Sequence, residues 1–241
     1  MLTTRPASLD GPMTEAGLYR LLSWMSPSFP VGAFTYSHGI EYAVEAGLIK
    51  TAKDLAVWIE GIVSFGAGRM DADFFRDAWR AVSKGDDDAL ARTVEGADAL
   101  RGTKETALES KAQGEAFMQT IRAVWPHARI EEWSGVLKVL DRPAPYAVAV
   151  GVASAVSGVP LKSALIAFLH AFAANLVSAG VRLVPLGQTD GQKTLAALQP
   201  VVLDGALAAL ERSAGDLGGA AAIVDWTSMK HETQYTRLFR S

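Results

Sequence analysis

The segment closest to a catalytic motif is GQTDGQKT at residues 187–194. It approaches the phosphate-binding pattern G-x-x-x-x-G-K-[ST], in which Lys193 and Thr194 would contact nucleotide phosphates and a magnesium ion. That pattern needs a glycine directly before the lysine so that backbone N–H groups can close around the phosphates, and here the position is Gln192. No alternation of strands and helices supplies the parallel sheet of such enzymes. A nucleotide-dependent enzyme using this segment is therefore the alternative function.

The residue types that bind metals or act as nucleophiles are sparse. The chain has no cysteine, which excludes a disulfide framework and thiolate metal sites. Its four histidines are scattered, whereas a metal site needs three or four convergent ligands, and no Glu-x-x-His occurs. The acidic residues 86–88 are typical of a helix cap, and no nucleophile-elbow pattern is present. We therefore expect no catalytic residue, no metal site and no cofactor.

Aromatic, apolar and arginine side chains gather in two segments and are typical of interface anchors. Their positions leave two interpretations open, since the early aromatics also suit a core and the C-terminal tail, residues 225–241, could pack on its own domain. For the second segment these residue types favour binding of a partner macromolecule over catalysis, whereas for the first segment that role is implied only by the family resemblance of the chain. The predicted partner-binding residues are Phe34, Tyr36, His38, Glu41 and Tyr42 in the first segment, and Lys230, His231, Glu232, Tyr235, Arg237, Leu238 and Phe239 in the second.

The first of these segments lies in a stretch with unusual backbone requirements. Pro27 and Pro30 stop a helix that ends near Met25, and Gly32 allows a tight turn. A second helix then begins near residues 35–37 and ends at Gly47. The sequence therefore predicts a helix pair kinked by proline and glycine.

Helical periodicity continues through the rest of the chain. Thr51 and Asp54 form a capping-box start for a helix, and Pro200 could kink another. No stretch alternates long enough to indicate a strand, so we predict an all-α, single-domain multi-helix bundle over residues 13–241, with residues 1–12 disordered. The predicted helices span about 51–66, 69–84, 86–100, 103–124, 130–140, 146–157, 161–181 and 189–210.

Composition limits the partners and the compartment. The net charge of −3 gives no bulk attraction for nucleic acid or an anionic membrane. The start of the chain lacks the apolar run of a signal peptide, which favours the cytoplasm. Residues 144–181 carry one charged side chain, Lys162, but their first half is too short to span a membrane. We interpret these residues as two buried helices.

Three stretches together resemble the family of urease accessory proteins UreF. They are SPSFPVGAFTYSHGIEYAVEAG from residue 26, VRLVPLGQTDGQ from residue 181 and HETQYTRLFRS from residue 231. The resemblance implies an all-α fold, usually a homodimer, and an accessory role in nickel insertion without catalytic activity of its own. It also implies three partners: a UreD/UreH-type accessory protein, the GTPase UreG, whose nucleotide state the complex could influence, and apo-urease.

The resemblance further assigns roles to particular residues. Residues 229–241 would order against the UreD-type partner, and Arg237 would help to recruit the GTPase. Residues 34–42 would contribute to the same composite surface, while the loop around Gly187 and Gln188 would organise the fold or the dimer. With no cysteine and no clustered histidine, the chain suits an adaptor whose partners hold the metal and the nucleotide.

Overall fold

The computed structural model describes residues 11–241, so most of the N-terminal segment predicted to be disordered, residues 1–12, lies outside the described residues. Across residues 11–241 the protein is helical and contains no strand, which confirms the all-α prediction. The helices are α1 (Glu15–Trp24), α2 (Ile40–Glu45), α3 (Ala52–Ser64), α4 (Ala67–Lys84), α5 (Asp87–Ala99), α6 (Lys104–Val124), α7 (Ala128–Val139), α8 (Tyr146–Val156), α9 (Leu161–Leu183), α10 (Gln188–Ala197), α11 (Gln199–Glu211) and α12 (Ala222–His231), with 3-10 turns at Ala33–Thr35 and Ala214–Asp216.

Residue contacts divide the chain into two compact units built from interleaved segments. Unit 1 comprises the described residues up to Gly32 together with Asp71–Leu100 and Ser110–Phe168. Unit 2 comprises Ala33–Met70, Arg101–Glu109 and Leu169–Ser241. Both predicted partner-binding segments belong to unit 2. The prediction that residues 13–241 form a single domain stays a prediction.

Unit 1 is organised around aromatic side chains. Trp24 of α1 makes an edge-to-face contact with Phe117 of α6, with ring centroids 6.1 Å apart. Phe117 contacts Tyr146 of α8, and Tyr146 contacts Phe168 of α9. Such pairs combine a large buried apolar area with a favourable quadrupole geometry. Helix α8 is rich in small residues and packs closely in this unit, since a Cβ at Gly151 would lie 2.6 Å from the Phe75 carbonyl oxygen.

Unit 2 is built on α3, which packs against α10 and α11, and on α2, which packs against α12. The predicted capping box of α3 is confirmed, because Thr51 Oγ1 accepts from the Asp54 N–H at 3.2 Å and the Asp54 carboxylate accepts from the Thr51 N–H at 3.0 Å. At the α2–α12 contact Gly39 has φ +75°, and a Cβ there would lie 2.6 Å from Thr227 Oγ1. Only a glycine permits this conformation and this approach at low cost.

The predicted helices differ from the structure mainly at their ends. The second helix begins at Ile40 and not near residue 35, because His38 and Gly39 both have positive φ, 52° and 75°, and interrupt any helix at that point. The helix predicted over about 189–210 is two helices, α10 and α11, with Pro200 in the first turn of α11. Proline fits a first turn because it has no N–H to donate.

Among the described residues, two helical stretches are long and apolar enough to cross a membrane by length and composition, Leu161–Leu183 and Gln188–Glu211. Half of the most apolar window of the first is buried inside the protein, as is 28% of that of the second. Core helices of a globular protein pass the same length and composition test. Protein packing therefore accounts for much of the apolar surface of the first stretch.

Candidate functional site

A buried group of charged side chains lies where α12 ends and the terminal segment, residues 232–241, begins. His231, the last residue of α12, is fully buried. Its Nδ1 lies 3.0 and 2.9 Å from the two carboxylate oxygens of Glu105 on α6, and its Nε2 lies 3.0 Å from Oε2 of Glu41 on α2. The imidazole ring is thus held between two carboxylates that are themselves about nine-tenths buried.

These contacts favour the charged form of the imidazole. An ionised carboxylate only accepts hydrogen bonds, so both ring nitrogens donate at once when the ring is an imidazolium. Burial by itself lowers the pKa of His231, but the hydrogen bonds to Glu105 and Glu41, with the charges of both, outweigh burial and raise that pKa above its usual value. The two carboxylates thus favour the charged form of His231 in the interior of unit 2.

Glu41 also binds the main chain of the terminal segment. Its Oε1 accepts from the Leu238 N–H at 2.6 Å, and its Oε2 accepts from the Phe239 N–H at 2.9 Å. Arg237 Nη1 donates to Glu105 Oε1 at 3.2 Å. We call Glu41, Glu105, His231 and Arg237 the charge cluster. It fixes the backbone of the terminal segment as well as its side chains.

The last residues of the chain make a second attachment. His38 Nε2 lies 3.0 Å from Glu109 Oε1, and Ser241 Oγ donates to Glu109 Oε2 at 3.3 Å. The Ser37 N–H and hydroxyl both donate to the Ser241 carbonyl oxygen, the former at 2.7 Å. The Arg240 N–H donates to the Thr35 carbonyl oxygen at 2.7 Å. The terminal segment is thus tied to the stretch that leads into α2.

The structure divides the predicted partner-binding residues by exposure. The exposed ones are Phe34, Lys230, Tyr235, Arg237 and Leu238, and the half-buried ones are Tyr42 and Glu232. The buried ones are Tyr36, His38, Glu41, His231 and Phe239, with exposures of 0–7%. In this conformation the buried five contact residues of their own unit. Their direct contact with a partner stays a prediction that requires the terminal segment to move.

The exposed residues are accompanied by neighbours with similar chemistry. The Arg182 guanidinium lies 4.3 Å from the Phe239 ring centroid and donates to the Phe34 carbonyl oxygen at 2.7 Å. Trp226 contacts Tyr42 edge to face, and Lys230 Nζ lies 5.9 Å from the Trp226 ring centroid. Large apolar side chains exposed on α12 and the terminal segment are Ile223, Trp226, Met229, Tyr235 and Leu238. Exposed aromatic and apolar residues interspersed with cations are a common composition of protein interfaces.

Sequence reasoning missed several residues of the site. Glu105 and Glu109 were not singled out, although their spacing of four places them on one face of α6. Ser37, Arg182 and Ser241 were also missed. The glutamate spacing was a usable signal, but nothing in the sequence indicates that this face of α6 meets the two histidines. That juxtaposition depends on contacts between residues more than 70 positions apart.

The structure does not favour the phosphate-loop alternative. Residues 188–197 form helix α10, with Gly187 as its N-cap, and no strand precedes it in the described part of the chain. Lys193 Nζ pairs with Asp190 at 3.2 Å, and Thr194 is buried with its hydroxyl on the Asp190 carbonyl oxygen. A phosphate loop needs backbone N–H groups that converge on one point, whereas here the Asp190 and Gly191 N–H groups both donate to the Gly187 carbonyl oxygen. The residues from 11 to 241 also contain no group of three His, Cys, Asp or Glu side chains placed to hold a metal ion.

Fold and site together define a class: an all-α protein in which buried charges hold the terminal segment in place and leave aromatic and cationic side chains of that segment exposed. Comparison with known proteins gives the family. A UreF family model matches residues 49–199. The urease accessory protein UreF of Rhodopseudomonas palustris strain BisB18 is 50% identical over 226 residues, covering 94% of this chain and 92% of that protein. The UreF proteins of strain HaA2 and of Magnetococcus marinus are 48% and 46% identical and cover 98% and 95% of this chain and 100% and 99% of their own lengths. The chain belongs to the UreF family.

Proposed function

We propose that this protein is a non-catalytic accessory scaffold of urease maturation, a chaperone that takes part in nickel insertion in the cytoplasm. The observation that carries the proposal is the near full-length match to proteins named urease accessory protein UreF. The described residues add a physical argument, since Glu41, Glu105 and His231 hydrogen-bond to one another within unit 2, and residues 11–241 contain no group of three such side chains placed to hold a metal ion. In this proposal the partners hold the nickel and the nucleotide.

The finer form of the proposal is that the protein, as a homodimer, bridges a UreD/UreH-type accessory protein to the GTPase UreG and to apo-urease. Tyr235 and Leu238 support the part played by the C-terminal tail, because Tyr235 is fully exposed and Leu238 is 66% exposed. The main chain beside Leu238 is meanwhile fixed by Glu41. A fixed backbone lowers the entropy cost of docking, so exposed anchors on it can contribute more of their contact energy to affinity.

Modulation of the partner GTPase belongs to the same proposal. A scaffold shifts a GTPase toward one nucleotide state only if it binds the two states with different affinity. The measurement is the affinity of UreG, loaded with GTP or with GDP, for the complex of this protein with its UreD-type partner. Equal affinity for the two forms would exclude modulation by this route and leave the bridging role intact.

The bridging role is tested with the double substitution Tyr235→Ala and Leu238→Ala. Both side chains are exposed and neither supplies a hydrogen bond to the charge cluster through its side chain, so the fold should be preserved. We expect the purified double variant to lose most of its binding to the UreD-type protein, by a factor of ten or more for two interface anchors, roughly 1–2 kcal/mol each. Binding is measured by titration calorimetry.

The control is Val139→Ala in unit 1, which truncates an apolar side chain on α7 whose exposure, 86%, lies between those of Leu238 and Tyr235. This variant should bind the partner as the unmodified protein does. Unchanged binding by the double variant would contradict the assignment of the tail as the docking segment.

A further inference from the structure

The charge cluster contains two buried carboxylates, and their negative charges are balanced only if the imidazole contributes a positive charge beside that of Arg237. Glu41 and Glu105 are each 7% exposed, His231 is fully buried, and Arg237 reaches Glu105 from the terminal segment. A buried charge is costly unless it is paired, and removing one partner of a buried pair leaves the other uncompensated. The proton on His231 therefore decides whether the two carboxylates are compensated.

Loss of that proton would alter the hydrogen bonds as well as the charge. A neutral imidazole has one N–H donor and one lone pair. One of its nitrogens would then present a lone pair to the carboxylate of either Glu105 or Glu41, which it now contacts at about 3 Å. Two acceptors at hydrogen-bond distance repel each other, so one of the two contacts would open.

Movement at Glu41 would reach the terminal segment directly. The same carboxylate oxygen that contacts His231, Oε2, also accepts from the Phe239 N–H, and the other accepts from the Leu238 N–H. These are the backbone bonds that hold the centre of residues 232–241. The ring and the terminal segment thus share a single carboxylate.

From this geometry we infer that His231, Glu41 and Glu105 form a proton-controlled latch, which holds the terminal segment when the imidazole is charged and releases residues 238 and 239 from Glu41 when it is neutral. The charged groups that face the ring are Glu41 from α2, Glu105 from α6 and, through Glu105, Arg237 from the terminal segment. A second contact pair, His38 and Glu109, lies beside Ser241, whose hydroxyl donates to Glu109.

The direction of the pH response follows from the contacts of the ring. Burial opposes the charge on His231, but the hydrogen bonds to Glu105 and Glu41 prevail and raise the folded-state pKa above the ordinary histidine value of about 6.5. The stabilisation is complete below the unfolded pKa and is lost as pH rises through the folded one. The terminal segment should therefore be held at neutral pH and loosen in alkaline solution.

The latch concerns this chain alone, and only its consequence for partners rests on the proposed function. A released segment would expose Phe239, one of the predicted partner-binding residues that is now buried. The latch would then decide which of the predicted residues a partner can contact.

The experiment measures hydrogen exchange at the Leu238 and Phe239 amides of the full chain, from below pH 6.5 to about pH 9, across the ordinary histidine pKa and above it. Exchange rates are divided by those of an unstructured peptide at the same pH, which removes the intrinsic effect of hydroxide. We expect the protection of both amides to fall about tenfold or more over this range, as for loss of a charge-assisted hydrogen bond.

The variant His231→Gln removes the titrating proton and should give low protection that does not change with pH. The control is His170→Gln, which removes an exposed histidine of α9 in the same unit and should keep the wild-type profile. Protection that is constant with pH in the unmodified chain, or a pH profile that survives in His231→Gln, would overturn the latch.

Should His231→Gln fail to fold, NMR of the imidazole nitrogens in the unmodified chain gives the second test. Two ring N–H signals that disappear together with the Leu238 and Phe239 protection support the latch, whereas a ring that is neutral at pH 7 overturns it.

Partner binding is measured separately at neutral pH. Loss of the exchange profile with intact partner binding refutes the latch only, and an intact latch without partner binding refutes the proposed function only.

Discussion

Glu41 has three hydrogen-bond donors around one buried carboxylate, the His231 ring and the Leu238 and Phe239 N–H groups. Burying an ionised carboxylate is unfavourable in isolation, and this number of donors offsets the loss of water. The sequence predicted Glu41 as a contact for a partner molecule. In the structure Glu41 contacts the terminal segment of its own unit instead. The terminal segment therefore occupies the position that the sequence analysis gave to a partner molecule.

Arg237 and Arg240 allow the tail's cationic groups to be tested one residue at a time. The Arg237 side chain is 41% exposed and contacts Glu105, while Arg240 is exposed and is held through its backbone N–H. For Arg237→Ala we expect loss of UreG recruitment with a fall in melting temperature of only a few degrees, since a half-exposed ion pair contributes about 1 kcal/mol or less.

The matched substitution Arg240→Ala leaves the backbone bond to Thr35 in place and should retain UreG. Recruitment is followed by size-exclusion chromatography of the mixed proteins, and the melting temperature by calorimetry. A large drop in melting temperature for Arg237→Ala would instead assign that arginine to the stability of unit 2.

At the scale of elements, the contact between α2 and α12 positions the whole site. Helix α2 carries Glu41 and α12 carries His231, so the distance between these helices sets the geometry of the charge cluster. The helices approach closely at Gly39, where a Cβ would lie 2.7 Å from the Ser228 backbone nitrogen. Periodicity predicted a helix here, but not its start, because the start depends on two left-handed residues that the apolar pattern does not reveal.

This close approach gives a prediction at the same scale. The substitution Gly39→Ala places a Cβ against α12 and on a residue with positive φ, and we expect it to lower the free energy of unfolding by about 1–3 kcal/mol. The measurement is urea denaturation followed by circular dichroism.

Gly61→Ala serves as its comparison, because Gly61 lies inside α3 with open space around its Cα. That change should be neutral or should stabilise the protein by up to about 1 kcal/mol, since alanine favours helix. Equal effects of the two substitutions would contradict the packing argument.

At the scale of the whole molecule, fold and family agree with an accessory protein. All regular secondary structure in residues 11–241 is helical, and the enzyme-like motif at residues 187–194 forms the start of α10, where Lys193 is paired with Asp190. The eight-residue segment departs from the phosphate-loop pattern only at Gln192, and so short a pattern can be approached by chance. A real loop also needs a strand before it and free backbone N–H groups, which are properties of the fold.

The corresponding prediction concerns nucleotides. Titration of the isolated protein with GTP or ATP and magnesium should give no binding heat, and Lys193→Ala should behave identically to the unmodified chain in this measurement and in UreG recruitment. Heat that disappears in Lys193→Ala would revive the nucleotide-dependent alternative.

The sequence by itself determined that the chain is all-α, where most of its helices lie, and which family it resembles. Apolar periodicity, helix caps and sequence motifs are local properties that can be recognised within about 20 residues. Only the tertiary structure decided that His231 lies between Glu41 and Glu105, and that seven of the twelve predicted partner-binding residues are buried or half-buried. A charge and the opposite charge that compensates it can lie at any separation along the chain, here 126 and 190 residues, so their pairing has no local signature.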